Sequence, residues 1–257
     1  MSPVDIHFVS WQRPKITELA IKTIARNTKF GNYRLTVLDN GSDTPQQQML
    51  VGLHNDGYIN DLILWGENKG LEKARTYLLN NATFGEYFIC ADNDCLPQPI
   101  IDDEDWIEKL VDLMNKYEDY GAISCRTQVM IGTGNIFEDE MKDITEFPHP
   151  GGSLRIMRTS PVKVTGGWEG KPGRGAEERY ICGKLRELGY KTGFATHVRC
   201  LHLFGLGDTD RWGYDKTLKP EDTGHSDVSH PALDQGDNKE EVIFYAGGES
   251  AERYNQE

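Results

Sequence analysis

The chain has 257 residues, with 41 Asp and Glu against 28 Lys and Arg and a formal net charge of -13. That balance excludes holding a nucleic-acid backbone or an anionic lipid surface through a basic face, so any anionic ligand has to be gripped locally. No apolar run approaches the ~20 residues of a membrane span, and the N-terminal MSPVDIHFVS passes at once into a strand-like pattern, which predicts a soluble, cytoplasmic protein.

The first half alternates short apolar runs with helical periodicity, the pattern of βαβ units around a mostly parallel sheet. VDIHFVS (4–10) reads as a strand, followed by a helix from Pro14 to about Thr28 with its proline in the first turn. YRLTVLDN (33–40) is a second strand, GSDTP turns the chain into a helix near 45–54, and DLILW (61–65) is a third strand. A helix over 70–82 and a strand over 86–91 follow, and that strand runs straight into Asp92 and Asp94.

Beyond Pro97, residues 102–119 read as an amphipathic helix whose acidic first turn, Asp102 to Asp105, suits the helix dipole and needs no chemistry. Segments 121–132 and 151–158 read as strands around an irregular polar loop, 176–190 as a helix closed by Gly189, and 191–205 as a final strand. From Asp208 onward thirteen acidic residues face five basic ones, so 208–257 reads as an irregular acidic extension in which only EEVIFYA (240–246) resembles an ordered element. RWGYDKTLKP (211–220) could fold over an acceptor site with Trp212 or Tyr214, or serve as a packing strap. Five scattered cysteines indicate reduced thiols, and the spacing in HVRCLH (197–202) fits no common zinc pattern.

In open α/β sheets ligands bind beyond the carboxyl ends of the strands. Those positions collect Ser10, Trp11, Gln12 and Arg13; Asp39, Asn40, Gly41, Ser42 and Asp43; Asn68, Lys69 and Gly70; and Asp92, Asn93 and Asp94. Carboxylates, glycines and a few cations on one edge suit a nucleotide with a metal-bound diphosphate. Asp92 and Asp94 offer hard oxygen donors to Mn2+ or Mg2+, and such an ion would make the like-charge pair tolerable.

The succession VSWQRP, LTVLDNGSD, ENKGLEKAR, YFICADNDCLP, GGSLRIMR, GGWEG and AEERYICGKLRELGYKTGFATHVRCLHLFG, over about residues 4 to 205, resembles the GT-A fold glycosyltransferases, especially family 2. The resemblance implies a Rossmann-like domain over 1–207, with a nucleotide-sugar half (1–100) and an acceptor half (101–207). It implies a nucleoside-diphosphate sugar donor, UDP-sugars favoured, and a carbohydrate or other hydroxyl acceptor. By the same resemblance Asp39 contacts the nucleobase or ribose, Lys69 and Arg75 contact phosphate or base, and Ser10, Gln12, Arg13, Asn40, Asn68, Asp92 and Asn93 line the donor. Glu178 falls at the position of the catalytic base and Glu177 at that of an acceptor-binding carboxylate. The family's usual Glu-Asp is Glu-Glu here, so which carboxylate faces the acceptor is open. His202 falls at a third metal ligand beside Asp92 and Asp94, with His197 as competitor. Trp168 is either a face for a sugar ring or a core plug. Gly166, Gly167, Gly170, Gly173 and Gly175 would let that loop close as a lid. Inverting transfer leads; retaining transfer and a non-catalytic binding module on the same fold are the alternatives. A nucleotidyltransferase would want a glycine-rich phosphate loop after the first strand, which the sequence lacks.

Overall fold

A computed structural model describes residues 2–127, 141–151, 153–168 and 177–203, and the backbone of 242–245. The strands are β1 (Val4–Ser10), β2 (Tyr33–Asp39), β3 (Asp61–Trp65), β4 (Tyr87–Asp92), β5 (Cys95–Pro97), β6 (Tyr120–Thr127), β7 (Ile144–Glu146), β8 (Leu154–Arg158), β9 (Lys191–His202) and β10 (Val242–Tyr245). The helices are α1 (Pro14–Arg26), α2 (Thr44–Asn55), α3 (Leu71–Asn81), α4 (Trp106–Lys116), α5 (Thr159–Val164) and α6 (Glu177–Glu187). They build one sheet in the order β10-β3-β2-β1-β4-β8-β6-β9-β5, with β7 paired to β9.

The expected βαβ series is the block β3-β2-β1-β4, parallel throughout. Its register aligns the strand ends: Ser10 lies opposite Asp39, and Val9 opposite Asp92. Past β4 the sheet becomes mixed. β8 enters antiparallel to both β4 and β6, and β9 runs parallel to β6. Reversal of β8 brings its beginning to the edge where β4 ends, with Arg155 opposite Cys90, and the end of β9 reaches the same edge with His202 opposite Cys95. The two halves expected at 1–100 and 101–207 thus share one sheet.

Alternation along the strands splits the core between the two faces. Ile6, Phe8, Leu35, Val37, Ile89, Ile123 and Ile156 pack with residues of α1, α2 and α4 on one face. Phe88, Met157, Val162, Trp168, Ile181 and Leu185 form a cluster on the other, beside α3, α5 and α6. On that second face of β1, His7 stacks on Phe88 with ring centroids 4.9 Å apart and lies 3.1 Å from the Ala82 carbonyl.

α4 starts at Trp106, later than expected. Asp102 and Asp103 occupy a left-handed turn ahead of it, and Asp105 is its buried N-cap in a capping box with Glu108. The acidic run is therefore mostly turn and cap rather than a first turn of helix. β7 lies where an irregular loop was expected; it adds to β9 because a Cβ at Gly193 would fall 2.6 Å from the Thr145 carbonyl oxygen, room only glycine leaves. The expected strand over 121–132 is described as far as Thr127. Gly170, Gly173, Gly175, Gly205 and most of the acidic extension, with Trp212 and Tyr214, lie outside the described residues. The ordered element expected at 240–246 is β10, antiparallel to β3. Among the described residues no helix is long and apolar enough to cross a membrane.

Candidate active site

The edge begins with backbone strain. After β1, Gln12 and Arg13 both have left-handed φ, 54° and 65°, although Arg13 precedes a proline. Neither residue type favours that region, and strain of this kind persists only where its surroundings hold it. Here the Gln12 amide donates to Ser42 Oγ at 2.8 Å, and Arg13 Nη1 reaches Asp94 Oδ2 at 3.6 Å. Buried Ser10 accepts a hydrogen bond from the Gln46 side-chain amide.

The turn after β2 is locked against the turn after β3. Asn40 donates to Asn68 Oδ1 at 2.9 Å and accepts from the Lys69 amide at 2.9 Å. A Cβ at Gly41, whose φ is +73°, would lie 2.1 Å from the Glu67 carbonyl carbon, so the two loops approach closely only with glycine there. Asp39 departs from expectation. Its carboxylate is fully buried and accepts from the Ser42 amide at 2.9 Å, the Ser42 hydroxyl at 2.6 Å and Gln47 Nε2 at 3.2 Å. In this structure it builds the turn instead of facing a nucleobase. Lys69 sits with its ammonium 5.2 Å from the centre of the Trp65 ring.

The two aspartates after β4 have different partners. Asp92 Oδ1 pairs with Arg75 Nη2 at 2.7 Å, whereas Asp94 lies between Arg13 and His202, its Oδ1 3.4 Å from His202 Nε2. Burial drives the Asp92 pKa up to about 7; Arg75 opposes that rise, and the neighbouring carboxylates Asp94, Glu177 and Glu178 add to it. Burial would also raise the Asp94 pKa, yet His202 and Arg13 hold it below the ordinary aspartate value. At His202 burial opposes the charged imidazole, and the Asp94 carboxylate more than compensates, so its pKa is raised. Asn93 is directed to Thr17 Oγ1 at 3.3 Å.

Arg75 was expected to contact phosphate or base. It is instead buried, and its Nη1 lies 2.9 Å from Glu177 Oε1. Arg155, fully buried on β8, reaches the same oxygen at 3.0 Å and the Pro150 carbonyl at 3.2 Å. Two arginines and two carboxylates, Asp92 and Glu177, thus form a charge-balanced group under the site. Burial would raise the Glu177 pKa, but the two guanidinium groups pull it below the ordinary glutamate value. Glu177 is therefore committed to structure and does not present an acceptor-binding carboxylate. Glu178, next to it at the start of α6, is partly exposed, and its charge is felt at Asp92 and Arg75.

Trp168 is the core plug of its two readings. It is fully buried in the second-face cluster, meets Phe88 edge-on at 6.5 Å between ring centroids, and lies under the Arg75 guanidinium at 5.9 Å. It offers no sugar-stacking face in this structure. Arg155 is the residue that sequence reasoning missed. In LRIMR it holds a strand position sharing a face with Met157, and a charge at such a buried position requires a buried acid.

Asp94, Cys95 and His202 carry donor atoms that all lie within 4.8 Å of one another. An aspartate oxygen and an imidazole nitrogen suit Mn2+ or Mg2+. Burial and contact with Cys200 raise the Cys95 pKa well above the ordinary thiol value, so it stands there as a neutral thiol, a poor ligand for a hard ion. The Asp94 and His202 pair therefore fits the expected metal, while Asp92, expected beside them, gives its Oδ1 to Arg75 and keeps its side chain 32% exposed.

The mixed sheet flanked by helices, with its polar edge at the strand ends, is the GT-A fold. The chain belongs to glycosyl transferase family 2, whose sequence profile matches residues 6–169. It is similar in structure to the mannosyltransferase PcManGT from Pyrobaculum calidifontis, solved in complex with GDP-Man and Mn2+: TM-score 0.63 and 19% identity over 82% of this chain and 58% of that one. GalNAc-T7, solved with UDP, GalNAc and Mn2+, gives TM-score 0.64 and 15% identity over 85% of this chain and 45% of its own. S. aureus TarS 1-349 gives TM-score 0.59 and 14% identity, over 77% and 60%. The chain thus spans about half the length of these solved proteins. No curated protein matches it.

Proposed function

We propose that the protein transfers a sugar from a nucleoside-diphosphate sugar to an acceptor hydroxyl, with inversion and with a divalent cation. The carrying observation is the convergence on one sheet edge of Asp94 paired with His202 and, from a different element, the partly exposed Glu178 above a neutralised arginine–carboxylate group. Family membership supports glycosyl transfer, and Mn2+ in two of the solved relatives supports the metal.

Asp94 and His202 would hold the ion, which when bound supplies positive charge to the departing diphosphate. Glu178 accepts the proton of the acceptor hydroxyl as that oxygen attacks the anomeric carbon. The bond from that carbon to the diphosphate oxygen breaks on the opposite face, and its electron pair leaves with the diphosphate. Glu177 holds Arg75 and Arg155 in place, and Arg75 keeps the Asp92 charge from opposing the donor. Ser10, Gln12, Arg13, Asn40, Asn68, Lys69 and Asn93 frame the donor pocket, and Asp39 fixes its turn.

The test is a panel of UDP-, GDP- and dTDP-sugars assayed for Mn2+-dependent hydrolysis and transfer, UDP-sugars first. Product configuration read by NMR decides the stereochemistry: an inverted anomeric centre supports Glu178 as base, and a retained one removes that role. Calorimetry showing no Mn2+-dependent nucleotide binding would reduce the chain to a binding module without this chemistry.

A further inference from the structure

We propose that Asp94, Cys95 and His202 form a thiophilic metal site, taking Zn2+ or Cd2+ in a tetrahedral arrangement that competes with the harder ion for Asp94 and His202. The inference deepens the metal side of the proposed transferase site and rests on that reading only for what the soft ion displaces.

Three observations support it. The first is separation. A tetrahedral ion about 2.0 Å from nitrogen and oxygen and about 2.3 Å from sulfur sets a nitrogen–oxygen edge of about 3.3 Å and an oxygen–sulfur edge of about 3.5 Å. In the structure His202 Nε2 and Asp94 Oδ1 are 3.4 Å apart, and Cys95 Sγ and Asp94 Oδ1 are 3.6 Å apart. The second is register. Cys95 and His202 lie directly opposite each other in the antiparallel pair of β5 and β9, so both side chains stand on the same face of the sheet. The third is access. Asp94 and Cys95 are buried, and His202, its side chain 32% exposed, is the one of the three donors that meets solvent.

Arg13 contacts the other carboxylate oxygen, Oδ2, and so leaves Oδ1 for an ion. Binding converts the Cys95 thiol to a thiolate: the metal–sulfur bond forms as the proton leaves to solvent. Asp94 and the thiolate then balance the charge of the dication, and a water or the neighbouring Cys200 sulfur can complete the shell. Softness decides the preference, because a thiolate favours Zn2+ and Cd2+ over Mn2+ and Mg2+.

The experiment titrates the metal-free full chain with Cd2+ and follows the ultraviolet thiolate-to-cadmium charge-transfer band, with cadmium NMR reporting the number of sulfur ligands. One Cd2+ per chain with one sulfur, or two if Cys200 closes the shell, is expected. Cys95→Ser should weaken Cd2+ at least about 100-fold while changing Mn2+ affinity, read by electron paramagnetic resonance, less than about 3-fold. His202→Gln should weaken both ions, and Cd2+ should release bound Mn2+ one for one. No charge-transfer band in the wild type, a band that survives in Cys95→Ser, or Cd2+ and Mn2+ bound together would overturn the site. Should Cys95→Ser fail to fold, the wild-type NMR still decides, since a sulfur-free signal excludes Cys95. Mn2+-dependent nucleotide binding without a sulfur band would sink this inference alone. A sulfur band without nucleotide binding would instead sink the transferase reading.

Discussion

The parallel block β3-β2-β1-β4 and the mixed block β8-β6-β9-β5 contribute to one active edge by different means. In the parallel block, adjacent strands end in register, and polar turns meet through neutral hydrogen bonds such as Asn40 to Asn68. In the mixed block, residues far apart in sequence arrive by strand reversal, and buried charges tie them to the parallel block: Arg155 on β8 and Arg75 on α3 both close on Glu177 of α6. The donor side therefore rests on local turn geometry, and the catalytic side on long-range charge balance. Substitutions in the mixed block should be the more damaging.

The sharpest way to break that contrast is Arg155→Met. It leaves Glu177 one guanidinium short in a buried setting, and removing one partner of a buried ion group costs about 3–5 kcal/mol. Urea unfolding checks the figure. Adding Glu177→Gln should recover part of the loss by removing the uncompensated charge, and a double-mutant cycle reads that coupling. Strictly additive losses would show that the buried group is not a unit.

The parallel block has its own buried titratable residue, His7. Burial lowers its pKa to about 4, against about 6.5 when unfolded. The unfolded chain binds the proton first, so the stability from neutral His7 is complete above about pH 6.5 and is lost as pH falls toward 4. The loss amounts to up to about 3 kcal/mol. Urea midpoints at pH 7 and pH 4 should separate less in His7→Gln than in the wild type; equal separation would exclude His7 as the source.

Next comes the chemistry. Glu178→Gln should cut turnover at least about 100-fold, about 2.7 kcal/mol in the barrier, and leave donor affinity nearly unchanged because the donor side is built elsewhere. Turnover equal to the wild type would remove Glu178 as base. Gly41→Ala tests the donor side directly. A methyl group would meet the Glu67–Asn68 backbone at a positive φ, so stability should fall by roughly 2 kcal/mol and donor KM should rise while kcat is retained. A matching fall in kcat with KM unchanged would place that loop in the chemistry instead.

The same contrast explains what could be read from the chain. β1 to β4 and their helices were legible because period-2 apolar runs alternate with 3.6-residue periodicity, and strand ends in a parallel sheet must share an edge. That Asp94 and His202 come together was legible through motif order. Side-chain direction was not. Asp39, Asp92 and Glu177 all looked open to ligand, yet each is taken by a partner whose position depends on packing: Ser42, Arg75 and Arg155. The short elements β5, β7 and α5 carry too few residues for a period. Arg155 left one clue, a cation at an inward strand position, and Glu177 was the acid it required.

The smallest effect comes from an ion pair of the same formal kind on the surface of the parallel block. Lys22 and Glu18 meet at 2.6 Å one turn apart on α1, with side chains 45% and 41% exposed. Water already solvates both charges, and holding two long side chains in one geometry offsets most of the attraction, so Lys22→Ala should lower stability by only about 0.2–0.5 kcal/mol. That residue should be lost with little change in the urea midpoint, and 0.5 M salt should remove most of what change there is, because exposed pairs are screened. The Arg155→Met deficit should persist in the same salt, since ions do not enter the packed layer around Glu177. Equal salt sensitivity in the two variants would mean that the arginine–carboxylate group is open to solvent, and the division between a hydrogen-bonded donor side and a charge-balanced catalytic side would fail with it.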